Sequence, residues 1–232
     1  MQKSDRPASP AAATTAAPAP ASGPRSRGRP RAFDRKAALT EATRLFWMKG
    51  YDATSISDLT AAMGIGSTSL YAAFGSKEAL YAEAVDHYRE TYEHLVWGGF
   101  LAAATARDAV QALLTDSAAA LTGCRADIPH GCMVALSAIG SEAHTALVEL
   151  LQNARAATLQ RLEARFATAV TMGDIPSATD IHALARFIQT VQTGMSILAR
   201  DGAGRAELEA VADVAMAGWD QWVAHSDDIS IS

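Results

Sequence analysis

Ser67, Thr68 and Ser69 stand consecutively at the head of a short segment, followed by Tyr71, Ala72 and, beyond a glycine, Lys77. Small side chains let a helix backbone descend into a groove, and their hydroxyls reach phosphate oxygens or base edges. Tyr71 is amphipathic, with a ring to pack and a hydroxyl to extend. Lys77 falls in the first turn of the following helix, where the helix dipole disfavours a cation. A phosphate at that point would be drawn by the lysine and the helix N-terminus together. These residue types suit contact with a polyanion. The other reactive pair, His130 and Cys132, suggests a nucleophile or metal ligand set, but no third group stands at a recognisable spacing. No catalytic site, metal or cofactor is therefore expected. Cys124 and Cys132 make no disulfide framework and read as small apolar residues.

The elements that must position the hydroxyls follow from capping residues and apolar spacing. Asp34 is a good N-cap for a helix over 35–49, with Leu39, Ala42, Leu45 and Phe46 on one face and Gly50 as its stop. Ser55-Ile-Ser-Asp58 reads as a capping box with aspartate in the glutamate role. It opens a short helix with Ile56, Leu59 and Met63 inward. Gly64-Ile65-Gly66 breaks the chain before a third helix, Ser67 to Ala73, whose Leu70 returns with Phe74 to the same core. Two short helices joined by a glycine-containing turn and packed on a preceding helix make a helix-turn-helix over about Ser55–Phe74. Ser76 caps a fourth helix predicted to run to about Val96.

Further helices are expected over 105–121, 133–139, 141–171, 180–200 and 205–224. With the first four they make about nine, and no period-2 strand pattern or internal repeat intervenes. The fold class is all-α: a three-helix helix-turn-helix domain followed by a larger helical body. Six of the eight prolines lie in the first thirty residues, within an Ala/Pro/Ser-rich tail that cannot offset its ordering entropy by burial. The domain plan is a disordered tail over 1–32, a helix-turn-helix domain over 33–80, a body over 81–226 and a short tail over 227–232. The N-terminus lacks a continuous apolar stretch, and nowhere do eighteen apolar residues run together. Neither export nor membrane insertion is expected, which leaves the cytoplasm.

The net charge of −5 conceals a division. Residues 1–77 carry 11 Lys and Arg against 5 Asp and Glu, a net of +6, and the remainder carries −11. A basic front on an acidic body points to one polyanion-binding module. Arg25, Arg27, Arg29 and Arg31 alternate along the end of the tail, as a solvated linker or as an arm that follows phosphates into a minor groove. At the other end, Ile181, Leu184, Phe187, Ile188, Val191, Met195 and Leu198 make one helix apolar on more than one face. Leu208, Val211, Val214, Ala215, Trp219 and Trp222 do the same for the next. Such helices must be buried on more than one face, in a self-complementary dimer interface or in a monomeric core.

The order Phe46, Gly50-Tyr51, Thr54-Ser55-Ile56, Gly64-Ile65, Leu70-Tyr71, Phe74 and Lys77-Glu78-Ala-Leu80 resembles the DNA-binding domain of the TetR (tetracycline repressor) family over about residues 34–82. The resemblance implies a homodimer joined through the last two helices, one recognition helix per half-site of double-stranded operator DNA, and release when a small molecule enters the body. It implies phosphate contact by Thr54 and Ser55, groove contact by Ser67, Thr68 and Ser69, and backbone clamping by Tyr71 and Lys77. Arg29 and Arg31 join them through the basic arm. Trp97, Met133 and Leu136 are the implied ligand-lining residues, although aromatic and methionine side chains at helical spacing also serve as plain core. Gly66, Thr68 and Ala73 depart from the serine, glycine and histidine common in the family. The alternatives to a ligand-responsive repressor are an architectural DNA-binding protein or an activator without an inducer, and an enzyme built on His130 and Cys132.

Overall fold

The structure, a computed structural model, describes residues 34–124, 128–137 and 144–225. Arg29 and Arg31 lie outside the described residues, as does the tail that carries them. Ten α-helices and no strand occur among the described residues.

Helix α1 spans Arg35–Lys49. Asp34 caps it by accepting from the amides of Lys36 and Ala37, and Gly50 ends it at φ 79°, a left-handed value that suits glycine. Helix α2, Ile56–Met63, has a complete capping box. The Ser55 hydroxyl accepts from the Asp58 amide at 3.0 Å and the Asp58 carboxylate accepts from the Ser55 amide at 3.1 Å. Gly64 stops α2 in the αL conformation, and α3 follows over Ser67–Phe74. Ala42, Phe46, Leu59, Leu70 and Phe74 are buried in one cluster, in which α2 packs on α1 and α3 packs on α2 and α4. Ser76 caps α4, Lys77–Tyr92, by accepting from the Ala79 amide.

The fourth helix ends four residues earlier than the sequence implied. It breaks at Glu93, and α5 continues over His94–Ala102. Glu93 itself keeps helical angles, φ −56° and ψ −36°, and α5 packs on α6, Ala106–Leu121. At Gly99 the two helices come so close that a Cβ would lie 2.7 Å from the Asp116 carboxylate and 2.9 Å from Ala112 Cβ. Helix α7 is short, Met133–Leu136. Its expected extension stops because Ser137 is extended, at φ −73° and ψ 119°. Long helices complete the body: α8, Thr145–Thr171; α9, Ile181–Arg200; and α10, Arg205–His225.

The buried side chains fall into two clusters. One gathers α1 to α4 with Ile128, Met133, Val134, Leu147, Leu151 and Ala154. The other joins α5, α6 and the later parts of α8 to α10, around Phe100, Leu113, Phe166, Ile188 and Trp219. The N-terminal core therefore reaches past residue 80 to take in all of α4, α7 and the first turns of α8. No helix among the described residues is long and apolar enough to cross a membrane.

Candidate nucleic-acid interface

Helix α3 divides its residues by period. Leu70 and Phe74 are buried, whereas Ser67, Thr68, Ser69, Tyr71 and Ala72 are exposed on the opposite side. Burial of a leucine and a phenylalanine, worth roughly 1.5–3 kcal/mol each, fixes the roll of the helix, and that roll presents the hydroxyls. No side chain caps α3, because Gly66 occupies the N-cap. Its first amides therefore remain without a side-chain acceptor, and they stand beside the serines. Tyr71 is 47% exposed and projects its ring outward instead of packing it.

Ser55 is exposed at the α2 N-terminus with its hydroxyl engaged in the cap. Thr54 is different. It is completely buried, and its hydroxyl donates to the Gly50 carbonyl at 2.6 Å. A phosphate contact from the Thr54 side chain is thus corrected: the residue closes the turn that delivers Ser55. The Lys77 ammonium lies 4.2 Å over the Tyr51 ring. Burial, together with a hydrogen bond to Glu78, pushes the Tyr51 hydroxyl well above its ordinary value. Glu78 is held below the usual carboxylate range by its own backbone N–H and by Tyr51. Lys77 is therefore a charge oriented by a neutral aromatic face. Arg35, which the sequence did not single out, braces α3 from behind. It donates to both carboxylate oxygens of Glu83 at 2.7 Å and to the Ala73 carbonyl, and it lies over the Phe74 ring.

A cavity of ≈ 670 Å³ opens among α4, α5, α7, α8 and α9. Trp97 lines it, with Tyr88, Tyr92, Cys132, Arg155 and Gln189. Met133 is buried in the N-terminal core, and neither it nor Leu136 is part of the lining. Leu136 instead covers Gly131. Cys132 is half-buried and accepts a hydrogen bond from the Tyr88 hydroxyl at 3.2 Å. His130 offers its carbonyl to Arg200 at 2.9 Å. Cys124 is exposed. No group of three metal-ligating side chains occurs among the described residues.

The segment 130–137 joins the cavity to the N-terminal helices by hydrogen bonds. Trp47 Nε1 donates to the Gly131 carbonyl at 2.9 Å, and the Tyr81 hydroxyl donates to Ser137 Oγ at 2.7 Å. From the other side, the Cys132 amide donates to Ser196 Oγ, and Arg155 reaches the carbonyls of Val134 and Ser137. Arg200, at the end of α9, also binds the carbonyls of Trp47 and Met48.

The sequence profile of the bacterial regulatory proteins of the tetR family matches residues 38–84, the stretch that holds α2, α3 and the start of α4. Over 202 residues the chain is 34% identical to the HTH-type transcriptional repressor ComR of Escherichia coli (strain K12), covering 86% of this chain and 95% of that protein. The chain belongs to the TetR family. A solved structure of the TetR family regulator CifR, a cysteine mutant complexed with 26 bp of double-strand operator DNA, is 38% identical. It superposes with a TM-score of 0.76 and covers 82% of this chain and 98% of that one. A TetR regulator from Rhodococcus sp. RHA1 is 41% identical, with a TM-score of 0.52 over 77% of this chain and 95% of that one. The chain is accordingly a helix-turn-helix transcription regulator.

Proposed function

We propose that this TetR-family regulator is a repressor that holds a palindromic operator as a homodimer and releases it when a small molecule fills the α4–α9 cavity. The observation that carries the reading is α3 itself, which turns Ser67, Thr68, Ser69 and Tyr71 outward while Leu70 and Phe74 anchor it. Ser67, Thr68 and Ser69 enter the major groove. Tyr71, Lys77 and Ser55 meet the backbone phosphates, with Arg29 and Arg31 adding charge from the tail. The operator complex of CifR supports this assignment by likeness.

Dimerisation through α9 and α10 is supported by what a single chain leaves uncovered. Phe187 and Leu198 are exposed on α9 in line with half-buried Val191 and Gly194. Val214 and Trp222 are exposed on α10. Gly194 and Gly218 have open space where a Cβ would stand, so a second copy's helices can approach closely. The isologous contact then places two α3 helices on successive turns of one DNA face. Trp97 in the cavity wall would contact the effector, and the hydrogen bonds of segment 130–137 would carry its arrival to α1 and α4.

Footprinting on the DNA beside this protein's own gene tests the reading. A protected palindrome is expected, with half-site centres about 34–36 Å apart or wider if the dimer is broad. Protection with no dyad symmetry would sink the dimeric repressor.

A further inference from the structure

The cavity assigned above to the effector is unevenly charged. Its described lining includes Arg89, Arg155 and Arg186 but a single acidic residue, Glu93. Glu93 is already shared by Arg89 at 3.0 Å and by Arg161 at 3.5 Å. Arg155 donates to two main-chain carbonyls, at 3.2 and 3.4 Å, and Arg186 to the Gln189 side-chain oxygen at 3.1 Å. Among the described residues, both arginines thus meet neutral oxygens only. The aromatic part of the lining is Tyr88, Tyr92 and Trp97, and the Trp97 ring already carries the Arg161 guanidinium 4.6 Å from its centroid.

We infer that this cavity takes a small organic anion with a flat apolar body, an aromatic carboxylate, read by Arg155 and Arg186 with its body against Tyr92. The inference rests on the reading of this cavity as the effector site. Two guanidinium charges without a carboxylate partner of their own, Arg155 half-buried and Arg186 on the exposed rim, focus a positive field on whatever enters. A cationic ligand would be repelled there, and a neutral apolar one would strip water from the guanidiniums without replacing its hydrogen bonds. A carboxylate replaces them with two parallel charge-assisted bonds to one arginine fork. The volume of ≈ 670 Å³ is within the range of small-molecule sites and admits a fused-ring acid. Because Arg155 holds the α7 carbonyls, an arriving carboxylate competes for the very group that braces segment 130–137.

The test is calorimetric titration of the full-length protein with 2-naphthoate, its neutral amide and 2-naphthylmethylamine. The naphthoate should bind at least about tenfold more tightly than either, the scale of a charge-assisted hydrogen bond. Arg155→Met should weaken it about tenfold, and Arg186→Glu on the exposed rim should turn the preference toward the amine, a reversal that misfolding does not produce. Equal binding of the amide, preference of the native protein for the amine, or no binding by any of the three would overturn the inference. Operator release, followed separately by fluorescence anisotropy, isolates the effector reading. Naphthoate that binds and leaves the operator held sustains the anion site and sinks the effector role. An amide that outcompetes it and frees the operator does the reverse.

Discussion

Residues on the two sides of α3 answer to different demands. Ser67, Thr68, Ser69 and Tyr71 are exposed and contribute little to holding the helix, whereas Leu70 is completely buried. Leu70→Ala should cost about 2–5 kcal/mol of unfolding free energy, the usual range for truncating a buried leucine, as read from denaturant melts. Lys77→Ala should leave stability near that of the native chain while weakening operator binding. The slope of log affinity against log salt should fall by about one, as for a lost phosphate contact; an unchanged slope would remove Lys77 from the interface. The exposure of the three hydroxyls was legible because apolar residues at positions 70 and 74 fix the helix roll. Thr54 was not legible in the same way. Its hydroxyl is taken by the Gly50 carbonyl four residues back, and that bond depends on the turn geometry and not on residue type. Arg35 escaped notice for a related reason, since its partners Ala73 and Glu83 are distant in sequence and meet it only once α3 and α4 are packed.

Among the elements, α2 is held by reciprocal capping. Asp58 is kept below the usual carboxylate range first by the Ser55 backbone N–H, then by the Ser55 hydroxyl and Lys49. A depressed folded-state value means that its stabilising contribution is fully present above the unfolded carboxylate value of about 4. That contribution is lost as pH falls through the lower folded value. Asp58→Asn should therefore lower the melting temperature at neutral pH, and the gap from the native chain should close as the pH is taken below about 4. A gap that does not change with pH would show that the charge of Asp58 is irrelevant to the cap. Caps and glycine stops made α1 to α3 readable from the sequence, because those signals are local. The break at Glu93 was not readable. No proline or glycine stands at the break, and Glu93 keeps helical angles there, so no local signal marks it. The place of segment 130–137 was equally hidden, since its partners Trp47, Tyr81, Arg155 and Ser196 come from four helices.

At the scale of the whole molecule, a basic front on an acidic body fits the proposed division of labour between DNA and effector. The all-helical architecture was evident from proline placement, capping and apolar periodicity. The cavity was only partly so: Trp97 reaches it, while Met133 is spent on the core. The proposed dimer would depend on apolar residues that a single chain exposes. Phe187→Glu should raise the dimer dissociation constant by roughly thirtyfold or more, the scale of an interface hot spot near 2 kcal/mol. Sedimentation velocity would then show monomers at concentrations where the native chain is paired; an unchanged dimer would move the interface elsewhere. Paired α3 helices are proposed to read a palindrome through their hydroxyl-bearing face. Selection of bound sites from random-sequence DNA, run in parallel on the native protein and on Ser67→Ala/Ser69→Ala, addresses this claim most directly. The native protein should enrich a motif with dyad symmetry, and the variant should lose base preference within each half-site while keeping the spacing. An identical motif from both proteins, or a native motif without symmetry, would contradict the claim.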